Sequence, residues 1–144
     1  MTAASHRLEI TEWIGEGYHP CVDFGEWRVA ILRYISELAP ENIQTMERHN
    51  ETDEVFVLLH GRCVLFIGEG ESEIAGVYPV EMQPHKLYNV KKGVYHTHTL
   101  SQDAIVLVVE NRNTGEMNSD CIPLMGDQRE QLVAMSRAFD EKSG

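Results

Sequence analysis

Short runs of apolar and β-branched residues, separated by turns rich in glycine, proline and polar residues, recur along most of the chain. The runs at 55–59, 63–67, 97–100 and 104–111 have the length and composition of β-strands. Gly61 separates the first two runs and predicts a tight hairpin. The segment 26–37 is apolar on both strand faces, so we expect a partner subunit or a terminal arm to cover its outer face. The pattern predicts an all-β sandwich or barrel.

The pattern changes near the C-terminus. Asp127 has the character of a helix N-cap, and Leu132, Met135 and Phe139 follow at helical spacing, which predicts a helix over about 128–139. The stretch 114–120 is polar and predicts a loop. Because no repeat or domain break is evident, we expect one domain over 1–144. It would comprise an N-terminal arm at 1–25, a barrel core at 26–111 and a C-terminal helix at 127–140.

Composition narrows the function classes. The 144 residues include 12 Lys and Arg against 23 Asp and Glu, a net charge of −11, which argues against a nucleic-acid partner. No apolar run reaches the roughly 18 residues of a membrane span, and residues 1–7 lack a signal-peptide core, so we expect a cytoplasmic protein without membrane contact. The three cysteines are far apart and form no Cys-x-x-Cys pair, which predicts buried or half-buried thiols rather than a zinc or redox site.

Two polar clusters contain side chains that bind metals. In the first, Glu47 and His49 are two residues apart and point the same way on a strand, and Glu54 opens the apolar run that follows. In the second, His96 and His98 alternate in the same manner. Imidazoles and carboxylates together suit a first-row divalent ion. We therefore expect the clusters to face each other across one cavity and to share a metal ion; the alternative is that they are solvated strand-edge residues.

The spacing of these residues resembles the two motifs of the cupin superfamily. The first motif is similar to Glu47-x-His49-x4-Glu54-x6-Gly61, and the second to Gly93-x-x-His96. The resemblance covers about 27–111. It departs from the usual motifs at three positions. Glu47 stands where the first motif usually has its first histidine. Lys91 and Leu100 stand where the second motif usually has a proline and an asparagine.

The resemblance implies a cupin-type jelly-roll barrel with a C-terminal α-helix, commonly a homodimer, with a metal ion at the barrel mouth. It implies His49, Glu54 and His96 as ligands, with Glu47 in the position of the missing histidine. Two carboxylates and two imidazoles would favour Mn²⁺, Fe²⁺ or Zn²⁺ over Cu²⁺. Without Glu47, the other three match the facial set of non-haem iron oxygenases. The alternative is a lineage that lost its metal.

Other residues have less specific roles. Glu47 and His98 are candidates for moving a proton, although His98 could instead be a fifth ligand or a buried histidine with a backbone partner. Arg33, Tyr88 and Tyr95 are candidates for lining the pocket. The predicted function is a metal-dependent isomerase or epimerase, lyase or dioxygenase acting on a small sugar or carboxylate. The alternatives are a non-catalytic module that binds a small ligand and a structural dimer with a relic site.

Overall fold

The computed structural model describes residues 7–143, which form ten strands and one long helix. Residues 1–6 of the expected N-terminal arm lie outside the described residues, as does Gly144. In chain order the strands are β1 (Gly17–Phe24), β2 (Trp27–Arg33), β3 (Thr45–His49), β4 (Glu54–His60), β5 (Cys63–Glu69), β6 (Gly76–Glu81), β7 (Leu87–Val90), β8 (His96–Leu100), β9 (Ile105–Asn111) and β10 (Ser119–Pro123). Helix α1 spans Gly126–Ser143, and short 3-10 turns lie at Ser36–Leu38, Pro40–Asn42 and Glu116–Asn118.

The strands form two five-stranded antiparallel sheets. The first has the order β1-β2-β9-β4-β7, and the second has the order β10-β3-β8-β5-β6. Neighbours in each sheet are mostly distant in the chain, as a jelly roll requires. The all-β prediction and the C-terminal helix are both confirmed.

Two hydrophobic clusters hold these layers together. The first lies between the sheets and includes Leu32, Phe56 and Leu58 from one sheet and Leu65 and Leu100 from the other. The strands supply them at every second position, because alternate side chains point to opposite faces of a sheet. Each such side chain contributes about 1.5–3 kcal/mol when it leaves water.

The second cluster lies on the opposite face of the second sheet. There Met46 and Phe66 pack beneath Leu132 of α1. The helical spacing that predicted α1 is the spacing that directs its apolar side chains onto this sheet. Nothing in the described residues 7–143 combines the helical length and apolar character needed to cross a lipid bilayer.

The predicted hairpin at Gly61 is wrong. β4 pairs with β7 and β9, whereas β5 pairs with β6 and β8, so the chain passes from one sheet to the other at this point. The turn still requires glycine, because Gly61 has φ +76° and a Cβ there would lie 2.7 Å from the Cα of Ala104.

The expected loop at 114–120 gives way to a 3-10 turn and a further strand. β10 pairs with β3, which places Ser119 opposite His49 and Cys121 opposite Glu47. It is an edge strand with little buried apolar surface, so the hydrophobic pattern did not reveal it. Its position beside β3 brings the C-terminal part of the chain to the functional site.

Candidate metal centre

A cavity of about 530 Å³ opens between the two sheets at one end of the barrel, which we call the mouth. All four sequence-predicted metal ligands line it. β3 supplies Glu47 and His49, β4 supplies Glu54 at its first residue, and β8 supplies His96 at its first residue. Glu47 pairs with His96 in the β3–β8 register, so the two motifs meet across adjacent strands.

Three of these residues converge on one point. One ligand atom from each of His49, Glu54 and His96 lies within 4.8 Å of the other two, and all three side chains are buried. Glu54 Oε1 lies 2.8 Å from His96 Nε2 and 3.2 Å from His49 Nε2. Two ligands bound to one ion at about 2.1 Å can be at most about 4.2 Å apart, so both distances suit a shared ion.

The hydrogen bonds of His96 show why a cation fits here. Its Nδ1 lies 3.0 Å from the carbonyl oxygen of Val94, which can only accept a hydrogen bond. Nδ1 therefore carries hydrogen, and in the neutral ring Nε2 presents its lone pair to a Glu54 carboxylate oxygen 2.8 Å away. Two lone pairs at that distance repel each other unless a proton or a metal ion lies between them.

His49 is oriented by the last strand and surrounded by carboxylates. Its Nδ1 lies 2.8 Å from the Ser119 hydroxyl, an outer contact of the kind that fixes metal-binding histidines. Its Nε2 lies 3.2, 3.5 and 3.9 Å from carboxylate oxygens of Glu54, Glu47 and Glu110. Burial opposes the charged ring, but these carboxylates outweigh it and raise the pKa of His49.

Sequence analysis did not single out Glu110, which is the second buried carboxylate of the site. It lies on β9 one position beyond the Val55–Val109 pair, and thus next to Glu54 of β4. Burial and the adjacent Glu54 raise the pKa of Glu110. In contrast, hydrogen bonds from His49 and His96 overcome burial and lower the pKa of Glu54. Glu54 is the ionised member of the pair.

Two further residues absent from the predicted site hold Glu110 in place. The Tyr18 hydroxyl donates to Glu110 Oε1 at 2.5 Å, and Arg28 Nη2 donates to the same oxygen at 2.8 Å. Arg28 also donates to the carbonyl oxygens of Arg112 and Thr114. The sequence did contain a signal for Arg28 and Glu110, because each is a charged residue on the inner face of an otherwise apolar strand. Arg28 shares the inner face of β2 with Ala30, and Glu110 shares the inner face of β9 with Val108.

Glu47 lies at the rim of the cavity rather than inside the group of three. More than half of its side chain, 54%, is exposed, and its carboxylate is 3.5 Å from His49 Nε2. It is thus accessible to a molecule entering the cavity. Its predicted roles as a ligand and as a proton carrier remain predictions.

His98 lines the same cavity deeper in the barrel, where its ring lies 5.6 Å from that of Phe56. Its Nδ1 is buried and finds no hydrogen-bond partner within residues 7–143, in contrast to the backbone partner that was one of our expectations. Burial and the nearby His96 lower the pKa of His98 to about 4. The ring is therefore neutral at physiological pH and retains an unused polar atom.

Arg33, Tyr88 and Tyr95 do not lie among the residues lining this cavity, in contrast to the expectation. Arg33 follows Leu32 and so points to the outer face of the sheet, where it donates to the carbonyl oxygen of Trp13. Tyr95 precedes His96 and lies in the cluster beneath α1. Tyr88 packs against the inner core on edge strand β7, and its hydroxyl accepts a hydrogen bond from the Gln83 N–H.

The donor set fits a divalent metal ion. Two imidazole nitrogens and a carboxylate oxygen converge, both rings are held through their outer nitrogens, and a second buried carboxylate adds negative charge. Such a concentration of buried charge is costly unless a cation compensates for it. Within the described residues, His49, Glu54 and His96 could together hold a metal.

Comparisons with known proteins support the fold. No protein-family model matches the sequence, and a comparison with curated proteins gives no match either. Among solved structures, Streptomyces PAC13 with uridine is similar with a TM-score of 0.55 and 10% identity, covering 83% of this chain and 87% of that one. KdgF from Halomonas sp. is similar with a TM-score of 0.51 and 10% identity, covering 74% and 90%.

The iron(II) protein HppE is similar with a TM-score of 0.50 and 14% identity, covering 65% of this chain and 48% of that one. Another structure of Pac13 is described as a β-barrel and a unique nucleoside dehydratase. At these identities the similarity defines the architecture alone. Together with the two motifs and the sheet order, it confirms the resemblance stated above at the level of the fold: the chain is a cupin-type jelly-roll barrel with a C-terminal helix.

Proposed function

We propose that this protein is an enzyme that uses a divalent metal ion, Mn²⁺, Fe²⁺ or Zn²⁺, to isomerise or cleave a small polyhydroxylated molecule at the barrel mouth. The observation that carries the proposal is the contact of His96 Nε2 with Glu54 Oε1 at 2.8 Å, since Nδ1 of the same ring is already committed to a carbonyl. His49, Glu54 and His96 would hold the ion. When bound, it would polarise vicinal oxygens of the substrate.

The shape and charge of the cavity support the substrate class. Its volume of about 530 Å³ is within the range of small-molecule sites. Among the described residues that line it, Arg28 is the only lysine or arginine, and its guanidinium is occupied by Glu110 and two carbonyls. Glu37, Glu47 and Glu116 add carboxylates to the lining. This environment repels phosphates and accepts hydrogen bonds from hydroxyl groups, as a neutral sugar would offer.

We assign roles in the reaction to two residues of the chain. Glu47 is exposed at the rim, and we assign it the transfer of a proton to or from a substrate carbon or oxygen. The neutral ring of His98 also lines the cavity, and we assign it the orientation of a substrate hydroxyl. The uridine bound to Streptomyces PAC13 is likewise a small neutral molecule with vicinal hydroxyls.

A metal analysis tests the first half of the proposal. Protein purified without chelator should contain about one divalent ion per chain, and His96→Gln and Glu54→Gln should contain less than about 0.1. His60→Gln is the matched control, because His60 is an exposed histidine that pairs with Asp103. Wild-type protein with less than about 0.1 ion per chain, and no rise in melting temperature on adding Mn²⁺, Fe²⁺ or Zn²⁺, would overturn the proposal.

Turnover tests the second half. Sugars, sugar acids and nucleosides would be incubated in D₂O with each metal, and deuterium incorporation or loss of water would be followed by NMR. A dioxygenase is the second candidate, because two histidines and one carboxylate form the facial set of non-haem iron oxygenases. Oxygen uptake that requires Fe²⁺, without anaerobic deuterium exchange, would favour it. Binding without either reaction would favour a non-catalytic ligand-binding module.

We also propose that the protein is a homodimer in which the outer face of the first sheet is the interface. Val29, Val109 and Val55 form a continuous apolar row across β2, β9 and β4 on that face. A second copy would cover this row. Leu8 and Ile10 of the N-terminal arm are exposed as well. Light scattering at micromolar concentration should give twice the monomer mass, and a Val109→Lys variant should give the monomer mass; a monomeric wild type would contradict the proposal.

A further inference from the structure

The carboxylate of Glu110 is buried beside a second buried carboxylate, that of Glu54. Its side chain is 2% exposed, and it lies next to Glu54 on the adjacent strand. Like charges on adjacent strands destabilise a sheet, and a buried carboxylate needs a partner for its charge. Arg28 supplies one positive charge, so the second carboxylate of the pair needs either a proton or another cation. A metal ion that binds here would displace that proton.

The two oxygens of Glu110 have different surroundings. Oε1 accepts hydrogen bonds from Tyr18 and Arg28, which fix the carboxylate. Oε2 is buried, and no N–H or O–H donor from the part of the chain that the structure describes reaches it. It lies on the side of the metal cluster, 3.9 Å from His49 Nε2. A fixed carboxylate with a bare inner oxygen is what a metal ligand requires.

Neither Glu47 nor Glu110 belongs to the group of three converging ligand atoms, and their carboxylates lie 3.5 and 3.9 Å from His49 Nε2. The two residues differ in exposure and in the contacts that fix them. The side chain of Glu47 is 54% exposed, so water can solvate its charge at little cost. Among the described contacts its carboxylate has only His49 as a partner, and nothing there fixes its orientation. An ion would therefore gain more from the buried carboxylate of Glu110, which is fixed by Tyr18 and Arg28, than from the solvated carboxylate of Glu47.

We infer that Glu110, through Oε2, is the fourth protein ligand of the metal centre, and that Glu47 remains free for the substrate. This inference rests on the proposed metal-dependent function. The ligand set would be His49, Glu54, His96 and Glu110, whose two carboxylates balance the charge of a divalent ion. Tyr18 and Arg28 are then positioning residues that act through Glu110.

Titration of chelator-treated protein with Mn²⁺, followed by EPR of the free ion, tests the assignment. We expect Glu110→Gln to weaken Mn²⁺ binding about 100-fold or more, and Glu47→Gln to change it less than about threefold. Glu69→Gln is the matched control, because Glu69 also accepts a hydrogen bond from a tyrosine hydroxyl, that of Tyr78, but is exposed and does not line the cavity. It should bind Mn²⁺ as wild type does. Far-UV circular dichroism would verify that each variant is folded.

Tyr18→Phe keeps the test decisive if Glu110→Gln does not fold. It removes one donor to Oε1 and leaves the ligands in place, so Mn²⁺ affinity should fall about tenfold. Unchanged affinity in Glu110→Gln would overturn the assignment, as would unchanged affinity in Tyr18→Phe where Glu110→Gln does not fold. A large loss in Glu47→Gln alone would also overturn it, and each of these results would leave the proposed metal site intact. A wild-type protein that binds no Mn²⁺, Fe²⁺ or Zn²⁺ would overturn both.

Discussion

The barrel interior has a charged mouth and an apolar closed end, and the same strands build both. β4 turns Glu54 inward at the mouth and Leu58 inward four positions later. β9 turns Val106 inward at the closed end and Glu110 inward at the mouth. Glu54 and Glu110 are buried, as Leu58 and Val106 are, so the class of burial alone does not distinguish the two ends.

The two ends contribute differently to the free energy of folding. The apolar end leaves water and gains about 25 cal/mol for each Å² that it buries, which stabilises the fold. The mouth places two carboxylates and two imidazoles in a similar environment, and it depends on hydrogen bonds and a cation to offset their desolvation. The burial of the apolar end thus offsets the cost of a mouth that destabilises the fold when it holds no cation.

The largest expected effect is at the closed end. Leu58→Ala should lower the free energy of unfolding by about 3 kcal/mol, because Leu58 is 1% exposed and its removal leaves a cavity. Urea denaturation monitored by fluorescence would measure it. The neighbouring Leu59 is 42% exposed on the outer face, so Leu59→Ala should cost less than about 1 kcal/mol. Equal losses in the two variants would contradict the distinction between inner and outer faces.

An intermediate effect is expected at the mouth. Arg28→Met removes the charged partner of Glu110 and should destabilise the metal-free protein by about 2 kcal/mol. The double variant Arg28→Met/Glu110→Gln should recover at least half of that loss, since no unpaired charge remains buried. Urea denaturation in EDTA would measure both.

The control for the mouth is Arg62→Met. Arg62 pairs with Asp140 on the surface, and such exposed pairs contribute less than about 1 kcal/mol. If Arg28→Met were no more destabilising than Arg62→Met, Arg28 would not be what offsets the cost of burying the Glu110 carboxylate.

The last prediction leaves stability unchanged and compares how fast two cysteine thiols, one at each end of the barrel, react with a reagent. Cys63 lies at the closed end, where burial raises its pKa to about 12, whereas Cys121 is exposed and lines the cavity. In the native protein a thiol-specific reagent should modify Cys121 at least about 100-fold faster than Cys63. Mass spectrometry of digested protein would measure both rates, with Cys121→Ser as control. Rapid modification of Cys63 under native conditions would show that the closed end opens.

The fold and the centre of the site could be predicted because their signals are local. Each motif lies within one strand and the turn before it, so residue spacing indicates that His49, Glu54 and His96 face inward. The helix likewise follows from the spacing within one segment. The two motifs also resemble those of one superfamily, and this resemblance implied that the two segments meet at one site.

The remainder of the site could not be predicted because it depends on register between strands distant in the chain. Glu110 reaches the centre only because β9 lies between β2 and β4, and Tyr18 reaches Glu110 across 92 positions of sequence. Arg33 and Tyr95 were expected in the pocket, yet each is adjacent to an inward residue and therefore faces the other side of its sheet. A shift of one position on a strand reverses the side-chain direction.

The hydrogen bond between His49 and Ser119 has a consequence for the order in which the protein matures. The two residues are separated by 70 positions, and β10 is the last strand in chain order. At a synthesis rate of about 5–20 residues per second, His49 leaves the ribosome roughly 4–14 s before its partner. The nascent chain can thus form most of the barrel before the His49 ring is oriented, and capture of an ion becomes one of the final events of its biogenesis.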